Sequence, residues 1–228
     1  MSLRIHRRFD LDFGAYRTLF SLQGVPTSHN FVNRPSDAAE LERCLLPQTH
    51  CQQTRRRIFV LHGLGGIGKT QLAVDFARRH QATFSSAFWL DGRSEDRLRQ
   101  SLAGCAKRIP QGQIPDRSRT VVPSSEDDLN VVVADVMAWL ARPDNVNWLL
   151  VFDNVDQDYE QGGTTGAYDV RQYLPGDHGA VLITTRLSRL AQLGDSRQLK
   201  KVDEGLGKAI FQLWRGAELG KASSDNGH

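Results

Sequence analysis

No apolar run in the 228 residues approaches the about 20 needed to cross a bilayer, so the chain is not expected to span a membrane. The N-terminus carries basic residues with no apolar stretch behind them, and no secretory signal is expected. Cysteine is scarce. Cys44, Cys51 and Cys105 are odd in number and show neither CxxC nor zinc-type spacing, so they read as reduced thiols in a cytoplasmic protein. Charge of one sign is missing as well. The 29 Lys and Arg against 26 Asp and Glu leave +3, which gives no mandate for nucleic acid. The basic clusters Arg4-His6-Arg7-Arg8 and Arg55-Arg56-Arg57 are short and read as solvated surface. No internal repeat is present. What remains is ordinary globular material: 39% hydrophobic and 24% charged residues, enough for one packed core with a short extension.

The pattern along the chain alternates. Residues 1–27 are aperiodic and read as an N-terminal extension or linker. Residues 36–46 predict a helix capped by Ser36, with Ala38, Leu41 and Leu45 on one face. Ile58-Phe59-Val60-Leu61 is a short buried strand. A helix follows over 70–80, with Leu72, Ala73, Phe76 and Ala77 inward. A strand at 85–91 precedes a helix at 94–109, capped by Ser94, with Leu98, Leu102 and Cys105 inward. Residues 110–124 read as a long surface loop. A helix over 125–141 buries Leu129, Val132, Val133, Val136, Met137 and Leu140. The runs at 147–153 and 179–186 are continuous apolar strands, the kind buried on both faces. A polar, glycine-rich loop over 157–168 separates them. A weaker strand is expected at 197–202, then an amphipathic helix, then a polar tail over 216–228. Alternation of this kind predicts a three-layer α/β fold: a five-stranded, mostly parallel sheet with helices on both faces.

Chemistry concentrates at three places. Gly63-Leu64-Gly65-Gly66-Ile67-Gly68-Lys69-Thr70 satisfies GxxxxGK[ST], between a strand and a helix. Glycines let such a loop turn its N–H groups inward, and with the helix N-terminus they form a nest for phosphate oxygens. By composition a chance match in a chain this long is on the order of one per cent. Lys69 would reach the β- and γ-phosphates, and the Thr70 hydroxyl would face Mg²⁺. Trp148-Leu149-Leu150-Val151-Phe152-Asp153 is an apolar strand ending in a carboxylate, which would emerge beside the loop as the Mg²⁺ partner. Leu182-Ile183-Thr184-Thr185-Arg186 ends a second buried strand at the same edge, where an arginine can meet a γ-phosphate.

Together these segments resemble the nucleotide-binding part of NB-ARC proteins, the STAND class of P-loop ATPases found in plant resistance proteins, apoptosome scaffolds and fungal NLR-like receptors. "GLGGIGKTQLA" resembles that family's GxGGxGKTxLA form, "WLLVFDNVD" its Walker B segment, and "GAVLITTR" its sensor strand. "FVNRPSDAAELERCL" resembles the segment just upstream, usually hhGRxxExxxL. "VDEGLGKAIFQLW" looks closest to fungal members. The resemblance covers residues 28–215. It implies that Phe31, Val32 and Arg34 line an adenine pocket. It implies that Gly63, Gly65, Gly66, Ile67, Gly68, Lys69, Thr70 and Gln71 hold the phosphates. Thr70 and Asp153 would hold Mg²⁺, and Arg186 would report on the γ-phosphate.

Two positions depart from that pattern. Asn33 stands where the family usually has Gly. Asn154 stands where relatives carry a second acid able to polarise water, and an asparagine cannot take a proton. The expected function is an ATP/ADP-binding signalling switch of NLR-like type, with slow or absent hydrolysis and with self-association or binding to related proteins as output. An active ATP-hydrolysing enzyme and a non-catalytic interaction module are the alternatives. By that resemblance, family members continue into a helical ARC region, a winged-helix region and repeats, which these 228 residues are not expected to include.

Overall fold

The computed structural model describes residues 16–22, 25, 34–47, 55–157 and 167–200. Pro35 opens helix α1 (Pro35–Leu45). Its ring fixes φ near the helical value, and the N–H it lacks is one the first turn leaves free. The N-cap is therefore Arg34, without a side-chain cap. Ser36 lies inside the helix rather than capping it, which corrects the sequence expectation. Ala38, Leu41 and Leu45 are buried as their spacing requires.

The remaining elements alternate as the pattern predicts. Strand β1 spans Arg57–His62, helix α2 Lys69–Arg79, strand β2 Ser86–Asp91 and helix α3 Glu95–Cys105. Ser94 caps α3 by accepting from the Arg97 N–H. The α-helix ends at Cys105, and a 3-10 turn carries Ala106–Arg108. The expected loop over 110–124 contains a short helix, α4 (Asp116–Thr120). Nothing periodic marks it, because its support is tertiary. The buried Ser118 hydroxyl donates to Asp135 (2.5 Å), and Arg119 Nε donates to the Ile109 carbonyl (2.9 Å). Helix α5 (Glu126–Leu140) is capped by Ser125 and buries Val132, Val136, Trp139 and Leu140. Leu129, Val133 and Met137 are half-buried beside them.

Strands β3 (Trp148–Asp153) and β4 (Ala180–Thr185) are buried along their whole length. They are the centre of a five-stranded sheet in the order β2-β3-β4-β1-β5, with every pairing parallel. The fifth strand, β5, is Asp195–Gln198 rather than 197–202. It is a polar edge strand whose place is set by backbone pairing with Phe59–His62, so hydrophobic patterning could not locate it. The closing helix expected after residue 202 and the tail lie outside the described residues.

Successive strand residues face opposite ways, and the core divides accordingly. Val60, Leu150, Phe152, Val181 and Ile183 pack with α3 and α5 on one face. Phe59, Leu61, Leu149, Val151 and Leu182 pack with α1 and α2 on the other. Trp148 joins the first face and donates its indole N–H to the Leu140 carbonyl (2.8 Å). Truncating a fully buried aromatic such as Phe152 would cost about 3–5 kcal/mol. The consequence for function is geometric. Parallel strands end together, so the residues following β1, β3 and β4 meet at one edge of the sheet.

Candidate functional site

The turn leaving β1 is built by two glycines with specific tasks. Gly68 is the N-cap of α2 at φ 96°, a left-handed conformation that glycine adopts without a Cβ penalty. Gly63 sits at φ 141°, and a Cβ there would lie 2.7 Å from the Leu199 carbonyl oxygen. That close approach exists because the Leu199 N–H donates to the His62 carbonyl, drawing the end of β5 over the start of the loop.

Lys69 opens α2 and is only 7% exposed. Its ammonium donates to the carbonyls of Gly63 (2.8 Å) and Leu64 (2.9 Å), so it closes the loop on itself. Burial pushes its pKa down, partly countered by the Asp156 charge, with Arg186 pushing the same way as burial. An anion in the loop would relieve that burial cost.

Asp153 ends β3 and is 5% exposed. Its Oδ1 accepts from the Thr70 hydroxyl (2.8 Å) and the Thr184 hydroxyl (2.6 Å). Its Oδ2 accepts from the Asn154 amide (3.0 Å). Burial raises its pKa, the two hydroxyl donors lower it, and the charges of Asp91 and Asp156 raise it further. Asp91 is in register with Asp153 on β2, and Arg93 holds its carboxyl below the usual range. The carboxylate at 153 thus faces three neutral donors and carries a desolvation cost. A divalent cation is the charge that would remove it, and hydroxyl plus carboxylate oxygen is the donor set Mg²⁺ takes. On that ground Thr70 and Asp153 fit the metal the sequence expects.

Asn154 adopts φ 62°, which asparagine tolerates. Its N–H donates to Thr184 Oγ1 (2.9 Å). The chain then zips to the end of β4: Val155 N–H to the Thr184 carbonyl, and the Thr185 hydroxyl to the Val155 carbonyl. This turn carries Asp156 into the site. Its carboxylate accepts from the Arg186 N–H (2.6 Å) and Arg186 Nε (2.7 Å).

A cavity of about 370 Å³ results, lined by Gly65, Gly66, Ile67, Gly68, Lys69, Thr70, Gln71, Asp153, Asn154, Asp156 and Arg186. The sequence-expected residues from the loop and from the ends of β3 and β4 therefore converge. Gly63 lies just behind, contributing the carbonyl that holds Lys69. Arg34 is elsewhere: its guanidinium donates to the Ile67 carbonyl (3.1 Å) and the Lys200 carbonyl (3.3 Å), bracing the loop from outside the cavity. Phe31 and Val32 lie outside the described residues. Sequence reasoning left out two participants. Thr184 is a fully buried hydroxyl at the end of an otherwise apolar strand, a signal that was available. Asp156 has no such signal, because its reach depends on the turn at Asn154.

The sheet order, the glycine loop and the paired strand ends define an α/β P-loop domain. No family model matches the chain. A nucleotide-binding leucine-rich repeat (NLR)-like protein from the fungus Hyaloscypha variabilis is 24% identical over 201 residues, 83% of this chain; the match spans 19% of that protein's length. Among solved structures, a Signal Transduction ATPase with Numerous Domains (STAND) protein with a tetratricopeptide repeat sensor from Pyrococcus horikoshii matches at 18% identity. It covers 82% of this chain and 26% of its own, with a TM-score of 0.46. Cdc6p from Pyrobaculum aerophilum matches at 14% identity, covering 78% of this chain and 48% of its own, with a TM-score of 0.47. The motif set and the fungal NLR-like relative make the chain similar to the NB-ARC/STAND P-loop domains.

Proposed function

We propose that this chain is the ATP/ADP-binding switch domain of an NLR-like STAND protein, acting in nucleotide-dependent signalling of the innate-immunity or cell-death type. The observation that carries the reading is the convergence of Lys69, Thr70 and Asp153 on one cavity behind a glycine loop. Lys69 exchanges the Gly63 and Leu64 carbonyls for phosphate oxygens. The backbone amides of the loop and the N-terminus of α2 take the remaining phosphate oxygens. Thr70 and Asp153, already 2.8 Å apart, would hold Mg²⁺. When bound, Mg²⁺ neutralises phosphate charge. Arg186 responds to the γ-phosphate.

Hydrolysis is slow or absent in this reading. The Asn154 amide donates to Asp153 and so cannot serve as a base toward water. A γ-phosphate then acts chiefly by giving two states different contacts, which is what shifts a population. Self-association or binding to a related NLR-like protein is the output proposed for that shift, in the cytoplasm. Among the described residues no helix is long and apolar enough to cross a membrane. Burial pushes the Cys44 and Cys105 thiols up to about 12, which keeps them unreactive.

The test is turnover together with the nucleotide that co-purifies. Retained ADP and phosphate release well below about one per second support the switch. Release at or above that rate, lost in Lys69→Ala, would establish the enzyme instead.

A further inference from the structure

A carboxylate is an odd wall for a phosphate cavity, since it repels the ligand the cavity is shaped for. Asp156 is one nonetheless. Its side chain is 17% exposed and is fixed from two sides by Arg186, while the Arg186 side chain is 64% exposed. We infer that Asp156 is a positioning residue that sets the preference between nucleoside triphosphate and diphosphate by competing with the γ-phosphate for Arg186. The inference rests on the proposed nucleotide site.

The geometry gives Asp156 this role for three reasons. Arg186 follows β4 and lies over the loop: its Cδ would be 3.9 Å from a Cβ placed on Gly65. A terminal phosphate in the cavity and Asp156 are therefore alternative partners for one guanidinium. Second, the Asp156 carboxylate does not depend on that guanidinium alone. Oδ1 keeps the Arg186 backbone N–H (2.6 Å), and the Asp156 N–H bonds the Asn154 carbonyl (2.9 Å). When the guanidinium leaves, Asp156 stays in place with a donor, so the exchange is reversible rather than disruptive. Third, Lys69 and the loop amides meet the phosphates nearer the loop without Arg186. A diphosphate thus binds with the Asp156–Arg186 pair intact, and a triphosphate binds only in the fraction of molecules where the pair is open. The apparent dissociation constant for the triphosphate rises by the inverse of that fraction, and the diphosphate's does not.

A largely exposed pair holds its partners by a factor of roughly two to five. Calorimetric titration of MgATP and MgADP into Asp156→Asn should therefore show ATP affinity rising about threefold to sixfold, with ADP affinity unchanged. Repeating the pair of titrations in an Arg186→Gln background isolates the route. There, adding Asp156→Asn should leave the ATP-to-ADP ratio where Arg186→Gln put it. An unchanged ratio in the single variant overturns the inference. So does an equal rise in the Arg186→Gln background, which would mean that Asp156 acts by direct repulsion. Loss of turnover at unchanged ratio would make Asp156 a base and overturn it too. If the unmodified chain binds neither nucleotide, it is the proposed function that fails. Coincident circular dichroism spectra and melting curves confirm that each variant is folded.

Discussion

Replacing Asp153 by asparagine should stabilise the fold while weakening the proposed Mg²⁺-dependent nucleotide binding. The carboxylate is 5% exposed, and among the described residues no cation pairs with it. Two hydroxyls and one amide donate to it, yet burial still leaves its pKa above the ordinary carboxylate value. The charged form is therefore net unfavourable in the folded chain, since burying an ion costs several kcal/mol that neutral donors only partly return. In Asp153→Asn the side-chain oxygen can keep both hydroxyl donors, Thr70 and Thr184. The new amide would face the Asn154 amide, which a turn about a soft terminal torsion converts to an acceptor. Relieving a functional-site cost of this type commonly yields about 0.5–2 kcal/mol. In a chain of this size that is roughly 2–4 °C per kcal/mol in Tm. The sign with pH follows from the raised pKa. Asp153 costs nothing while protonated, and stability is lost as pH rises through its folded pKa, so the advantage of the variant should be small in acid and full at neutral pH. Thermal melts by circular dichroism at about pH 4 and pH 7.5, without nucleotide or Mg²⁺, read this directly, taking the first value near the ordinary carboxylate pKa. A variant that melts lower at neutral pH, or gains equally at both, would refute the reasoning. Its Mg²⁺-dependent nucleotide affinity should fall at least about tenfold.

Gly63→Ala should lower Tm and nucleotide affinity together, because its Cβ would press to 2.7 Å from the Leu199 carbonyl at φ 141°. A cost of about 1–3 kcal/mol is expected, and an unchanged melt would show that the end of β5 yields freely. Asn154→Asp should raise phosphate release more than it changes binding, at some loss of Tm because the donor to Asp153 Oδ2 is replaced by a like charge. Equal turnover would show that position 154 is not in line with the attacking water.

The legible parts of this fold were those that bury apolar surface with a period. β3 and β4 are continuous apolar runs, and both are buried from end to end. The glycine loop was legible for a different reason: φ 96° at Gly68 and the contact at Gly63 admit few other residues. What escaped was placed by tertiary bonds. Helix α4 hangs on Ser118 and Arg119, β5 on backbone pairing at a polar edge, and the helix start at Pro35 on a fixed φ that outweighs Ser36 as a cap. The site divides likewise. Lys69, Thr70 and Asp153 follow from spacing and strand ends. Asp156 reaches the cavity only through the left-handed turn at Asn154, and Arg34 braces the loop through carbonyls no pattern records.

The central claim is that this loop holds a nucleotide. Isothermal titration calorimetry of MgATP and MgADP into the chain and into Lys69→Ala tests it most directly. The account predicts one site in the unmodified chain. In the folded variant it predicts a loss of about 100-fold, or ~2.7 kcal/mol, for the charge-assisted bonds of one ammonium. Equal affinity in the two proteins would contradict it.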